Sequence, residues 1–151
     1  MVRAYDASFV VYTSTLLGVT IRSESMKYTL LINGGPDCTS ASTALQFAEA
    51  VLSSGHSLYR LFFYQSGVLL ARHCSARPAV TVEAGWQGLV QKHGIDAVVC
   101  ISAALRRGLV SEQESRRSEP RYEHVAKGFQ VSGLGQFADA VANSHRLVSF
   151  G

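Results

Sequence analysis

From Met26 onward, short apolar runs alternate with stretches whose apolar residues recur every three or four positions. That alternation constrains the fold more than any other feature, because a strand repeats every two residues and a helix every 3.6. The runs at 28–32, 57–64, 96–101, 129–131 and 146–150 read as strands. The run SLYRLFFY is nearly continuous rather than alternating, which is the pattern of a strand buried on both faces of a parallel sheet. Between them, Thr39 or Ser40 is placed to cap a helix over 41–53 with Ala44, Leu45, Phe47, Ala48, Val51 and Leu52 inward and Gly55 at its end. Trp86, Leu89, Val90 and His93 share one face of a second helix stopped by Gly94. Ser102 is expected to cap a short helix over 103–107, stopped by Gly108, and Ser132 a last helix facing the core through Leu134, Phe137, Ala138 and Val141. Stretches 65–79 and 111–123 read as loops or short surface helices. The β-α-β-α-β-α-β-α-β order predicts an α/β fold: a flavodoxin-like three-layer sandwich with a mostly parallel sheet of about five strands.

One domain accounts for this pattern. The chain has 151 residues, 47% hydrophobic and 17% charged, which excludes a disordered polymer and gives enough material for a core without disulfide staples. Residues 1–25 follow neither period and end in Arg22-Ser23-Glu24-Ser25, just before a second methionine. They are expected to be an N-terminal extension, a loose tail or a misassigned start, ahead of a single domain over 26–151. The stretch 9–21 is broken by Tyr12, Thr13, Ser14, Thr15 and Thr20 and falls short of the roughly 20 apolar residues that a membrane span needs. The chain is therefore expected to be cytoplasmic. Fourteen Lys and Arg against 11 Asp and Glu give a net charge of only +3, which does not demand nucleic acid.

Chemistry is sought at the carboxyl ends of the strands, where open α/β sheets bind ligands. Cys100 ends the run Ala97-Val98-Val99 and stands directly before a helix start. A thiol there faces unpaired amides, and Arg106 and Arg107 follow within two turns; both features favour the thiolate over the thiol. The bland alternative is a small apolar residue finishing a core strand, and position alone leaves the two about even. Cys38 lies in the first β-α loop beside Asp37 and reads as incidental; Cys74, beside Arg72 and His73, reads as a spectator. No C-x-x-C pair and no H-x-x-x-H pair occurs, so neither a disulfide framework nor a metal site is expected. The Asn33-Gly34-Gly35-Pro36 turn lacks the G-x-G-x-x-G and P-loop patterns, so no flavin or nucleotide cofactor is expected. The basic run Arg106, Arg107, Arg116, Arg117, Arg121 is interleaved with Glu112, Glu114, Glu119 and Glu123 and reads as a solvated face or as a docking surface for an acidic carrier protein.

Taken in order, Phe62-Phe63-Tyr64 with Gly67-Val68, the run Val99 to Gly108 with its C-x-x-A-A-x-R-R-G spacing, and Ser132-Gly133-Leu134-Gly135-Gln136 resemble the DsrE/TusD family of sulfurtransferase subunits over essentially 26–151. The resemblance implies a persulfide carried on Cys100, with Ser102, Arg106 and Arg107 as supporting residues and Tyr64 and Gly67 walling the pocket. It implies work beside TusB-like and TusC-like subunits in a heterohexamer, sulfur arriving from a TusA-like donor and leaving to a TusE-like acceptor. The relay would end in wobble 2-thiouridine in tRNA, without direct tRNA contact or a membrane. The alternatives are a DsrE-like subunit of a DsrEFH complex in sulfur oxidation, or a non-catalytic scaffold of the same fold. The first β-α loop departs from the family pattern by being short and by containing Cys38.

Overall fold

In the computed structural model, residues 25–73, 81–111 and 123–151 are described. The expected extension over 1–25, except Ser25, lies outside them, as do Cys74, Arg116, Arg117, Arg121 and most of the 111–123 stretch. The described chain runs β1 (Lys27–Ile32), α1 (Thr39–Ser53), β2 (Ser57–Phe63), a 3-10 helix (Gln65–Ala71), α2 (Val82–His93), β3 (Ala97–Cys100) and α3 (Ile101–Leu105). It continues β4 (Leu109–Val110), β5 (Glu123–His124), β6 (Phe129–Ser132), α4 (Gly135–Asn143) and β7 (Arg146–Phe150).

The main sheet has five strands in the order β6-β3-β2-β1-β7, and every neighbouring pair is parallel. The layered α/β architecture is the expected one, but its winding differs from flavodoxin's. The chain steps from β1 through β2 and β3 to β6 in one direction, then crosses back to place β7 on the far side of β1. Right-handed crossovers put helices of opposite travel on opposite faces. Accordingly α1 and α2 pack together on one face, while α4 lies against β2 on the other.

Alternation along the strands feeds both layers. Phe63 meets Trp86 of α2 edge-on at 5.3 Å, and its neighbour Phe62 meets Phe137 of α4 at 5.2 Å. Leu30, Ile32, Leu61, Val99 and Trp86 are fully buried. Alanines line the inner face of α1 (Ala41, Ala44, Ala48), and such small side chains let a helix lie close to the sheet.

Several local expectations are corrected. The N-cap position of α1 is Cys38, without a side-chain cap bond, and Thr39 and Ser40 lie inside the helix, Ser40 with its Oγ beside Gly34. Thr81 caps α2, its hydroxyl accepting from the Ala84 amide at 3.3 Å, and Gly94 at φ +60 ends it as expected. Of the residues expected on one face of α2, Trp86, Leu89 and Val90 are buried and His93 is exposed. Leu134, not Ser132, occupies the N-cap position of α4, and Leu134 and Val141 are 55% and 45% exposed. The inward residues are Phe137 and Ala140, because Arg60 on β2 grips Asp139 and the Gln136 carbonyl and fixes the rotation of α4. The two-residue pair β4-β5 carries too little periodicity to be foreseen.

Candidate active site at the carboxyl rim of β3

Cys100 is the last residue of β3 and holds the N-cap position of α3, with extended φ −64 and ψ 118. On one side it pairs in register with Ser132 of β6. On the other side the pairing with β2 ends at Phe63↔Val99, and Tyr64 opens the 3-10 helix that follows β2. The sequence therefore brings the cysteine to the rim and to a helix start, as expected. It is not exposed: Cys100 retains 1% of its accessible surface. A freely reachable thiol is thus not what the resting chain presents. The apolar run that made β3 a central strand also buries its last residue.

Ser102 is not the cap. It lies in the first turn of α3, exposed, and its carbonyl accepts from Arg106 Nε at 3.1 Å. Arg107 donates to the Ala103 carbonyl at 3.4 Å and to Ser66 Oγ at 3.3 Å. Both guanidinium groups thus hold carbonyls of α3 itself, which four orphan acceptors at a helix end invite. The bonds that both guanidinium groups make are to carbonyls of α3 and, for Arg107, to Ser66 Oγ. Gly67 is buried rather than lining open space. Its amide donates to the Asn33 and Tyr64 carbonyls at 2.9 and 2.8 Å, and a Cβ there would overlap the Ile32 carbonyl. It is a glycine because the turn after β2 lies directly on the end of β1.

Sequence reasoning passed over Ser66 and Gln65. Ser66 joins the first and third rim loops, touching Gly35 on one side and Arg107 on the other. Gln65 has φ +45, the only positive φ at a non-glycine among the described residues, and glutamine carries no signal for that conformation. Cys38 is exposed at the neighbouring loop. Among the described residues no three His, Cys, Asp or Glu side chains gather as a metal site.

A parallel α/β domain with a cysteine where an inner strand turns into a short helix defines the class. The DsrE/DsrF-like family model matches residues 26–150, and the chain belongs to that family. A relative from Serratia proteamaculans, sulfurtransferase TusD, is 43% identical over 129 residues, covering 83% of this chain and 99% of its own. A sulfurtransferase TusD homolog of Pseudomonas aeruginosa is 41% identical over 128 residues, covering 83% and 98%. A relative from Allochromatium vinosum named for DsrE is 40% identical over 129 residues, covering 83% and 99%. Among solved structures, the ychN protein of E. coli superposes with a TM-score of 0.58 at 16% identity, covering 83% of this chain and 99% of that one, a likeness of fold. Sulfur transfer is the activity that accompanies this membership.

Proposed function

We propose that the chain is a sulfur-relay subunit that carries sulfur as a persulfide on Cys100. The observation that supports this reading best is the place of Cys100: the carboxyl end of the inner strand β3, directly before α3, in a chain of sulfurtransferase kin. The Cys100 thiolate attacks the outer sulfur of a donor persulfide R–S–SH. The donor S–S bond breaks, R–S⁻ departs with the electron pair, and Cys100–S–SH forms. An acceptor thiolate then attacks that outer sulfur and releases Cys100 as thiolate. Atoms, charge and oxidation level balance in each exchange, and no metal or redox cofactor enters. The same sulfur is nucleophile in the first step and leaving group in the second.

The finer reading follows the family. A TusA-like protein donates, a TusE-like protein accepts, TusB-like and TusC-like subunits complete a heterohexamer in the cytoplasm, and the sulfur is destined for wobble 2-thiouridine. Ile101 and Leu105, 40% and 51% exposed on α3, form an apolar surface next to Cys100 on which a carrier or subunit can seat. No helix among the described residues is long and apolar enough to cross a membrane. Two other readings each have an observation behind them. The DsrE relative is nearly as similar as the TusD ones, which favours a role in sulfur oxidation, and the burial of Cys100 favours a scaffold. Incubation with a persulfide donor separates carrier from scaffold. Wild type takes up sulfur and passes it to an acceptor thiol, Cys100→Ser loses at least about 100-fold of both, and Cys38→Ser keeps them. Equal uptake by Cys100→Ser assigns the sulfur elsewhere.

A further inference from the structure

A thiol that is 1% exposed cannot meet a carrier protein without a movement, and α3 is the element built to make it. α3 has only five residues and buries just Ala103 and Ala104, side chains with little apolar area, while Ile101 and Leu105 point outward. Segments held by so little burial open at low cost. Its flanks are fixed. Cys100 is paired in the sheet, and beyond Gly108, at φ +74, the Gly108 carbonyl accepts from Glu123 at 3.0 Å. The 3-10 helix packs against both β3 and α3, the two elements that meet at Cys100. That helix is firmly seated: Val68, Leu70 and Ala71 are buried and Gly67 is pinned to Asn33. The bond from α3's end to it is Arg107 Nη2 to Ser66 Oγ, at 3.3 Å. The residue before Ser66 is Gln65, at φ +45; such strain in a non-glycine collects at switch regions.

We propose that α3 is a flap over Cys100, latched by the Arg107–Ser66 hydrogen bond and hinged at Gly108, and that unlatching exposes the thiol for sulfur exchange. Arg107 and Ser66 are thus positioning residues that set how often Cys100 is reachable. The proposal rests on the reading of Cys100 as the sulfur carrier, and the test keeps the two apart.

Full-length chain is labelled with iodoacetamide and the rate at each cysteine is followed by peptide mass. Ser66→Ala and Arg107→Gln are each expected to speed Cys100 labelling about five- to tenfold, the change in open population that one lost hydrogen bond produces. Because the two share one bond, the double variant should be no faster than either single. Labelling of the exposed Cys38 and the thermal midpoint should stay as in wild type. Unchanged Cys100 labelling, or single effects that multiply in the double variant, overturns the latch. Should a variant melt early, amide hydrogen exchange of the unaltered chain decides: α3 amides exchanging well ahead of those of β3 support the flap, and joint exchange refutes it. Loading by a persulfide donor is run in parallel. Faster labelling with sulfur found on another cysteine keeps the flap and rejects the carrier reading. Sulfur on Cys100 with unchanged labelling does the reverse.

Discussion

At the scale of single residues, the rim of the sheet is decided by where a side chain fits. Gly67 and Gly88 give opposite forecasts from the same substitution. A Cβ at Gly67 would overlap the backbone carbonyl of Ile32, which cannot yield as a flexible side chain can, so Gly67→Ala should cost about 2–3 kcal/mol and lower the melting midpoint by several degrees. At Gly88, exposed in the middle of α2, nothing lies within 4 Å, and Gly88→Ala should add roughly 0.5–1 kcal/mol by relieving the helix of its most flexible residue. Thermal melts of the two variants check both signs, and a destabilised Gly88→Ala would mean that the face of α2 is not open. Cys100 was legible in the sequence as the residue that ends an apolar strand before a helix. Its burial was not, because the same apolar run is consistent with a rim residue inside or outside the core. Ser102, Arg106 and Arg107 were legible as neighbours along the chain but not in their bonding. A five-residue helix leaves its carbonyls free, and the arginines close on those rather than on the thiol.

At the scale of elements, the arrangement of α4 depends on a bulge. Tyr28 pairs with Leu58 and Thr29 with Arg60, so Tyr59 is the extra residue of β2. The Tyr59 hydroxyl donates to Asp139 at 3.1 Å, and Arg60, 8% exposed, holds Asp96 at 2.7 Å and Asp139 at 2.8 Å. Arg60→Ala should cost about 1–3 kcal/mol, below the range for fully buried pairs because both carboxylates remain partly wet. Loss of water around Arg60 alone would lower its pKa, but the bonds and charges of Asp96 and Asp139 win and raise it. Its stabilisation is therefore complete at any pH below its ordinary range and is lost only beyond it. Tyr59 is pushed above its ordinary 10.0, by loss of water first and then by its bond to Asp139 and that carboxylate's charge. A raised folded pKa means stability is whole below pH 10.0 and falls as pH climbs through the folded value. Urea melts across this range should show an alkaline loss that Tyr59→Phe reduces; an identical loss in that variant contradicts the assignment. This ion cluster explains why α4 was misread. Leu134, Phe137 and Val141 have helical spacing, yet the pull of Arg60 on Asp139 and Gln136 turns the helix so that Ala140 faces the sheet. By contrast α1, α2 and β7 were legible, since a strong apolar stripe and a glycine stop leave one solution.

At the scale of the whole molecule, one return crossover leaves, among the described residues, one helix on one face of the sheet. That is why Leu134, Val141 and Leu147 are 55%, 45% and 43% exposed and why a lone subunit carries apolar surface that a partner can cover. Leu134→Glu should leave the thermal midpoint of the isolated chain within about 2 °C of wild type and, in the assembly proposed above, should sharply reduce co-purification with its partner subunits. Unchanged recovery of the complex would move the interface elsewhere. The five-strand parallel sandwich could be read from the alternation of runs alone, whereas the strand order could not: local patterning fixes each element but not the direction of the last crossover. Sulfur itself reports on the account as a whole. After a persulfide donor is applied to the native chain and free donor removed, peptide mass spectrometry should find one added sulfur on the peptide holding Cys100, lost again on contact with an acceptor thiol. Sulfur mapped to Cys38 or Cys74, with the Cys100 peptide unmodified, would contradict it.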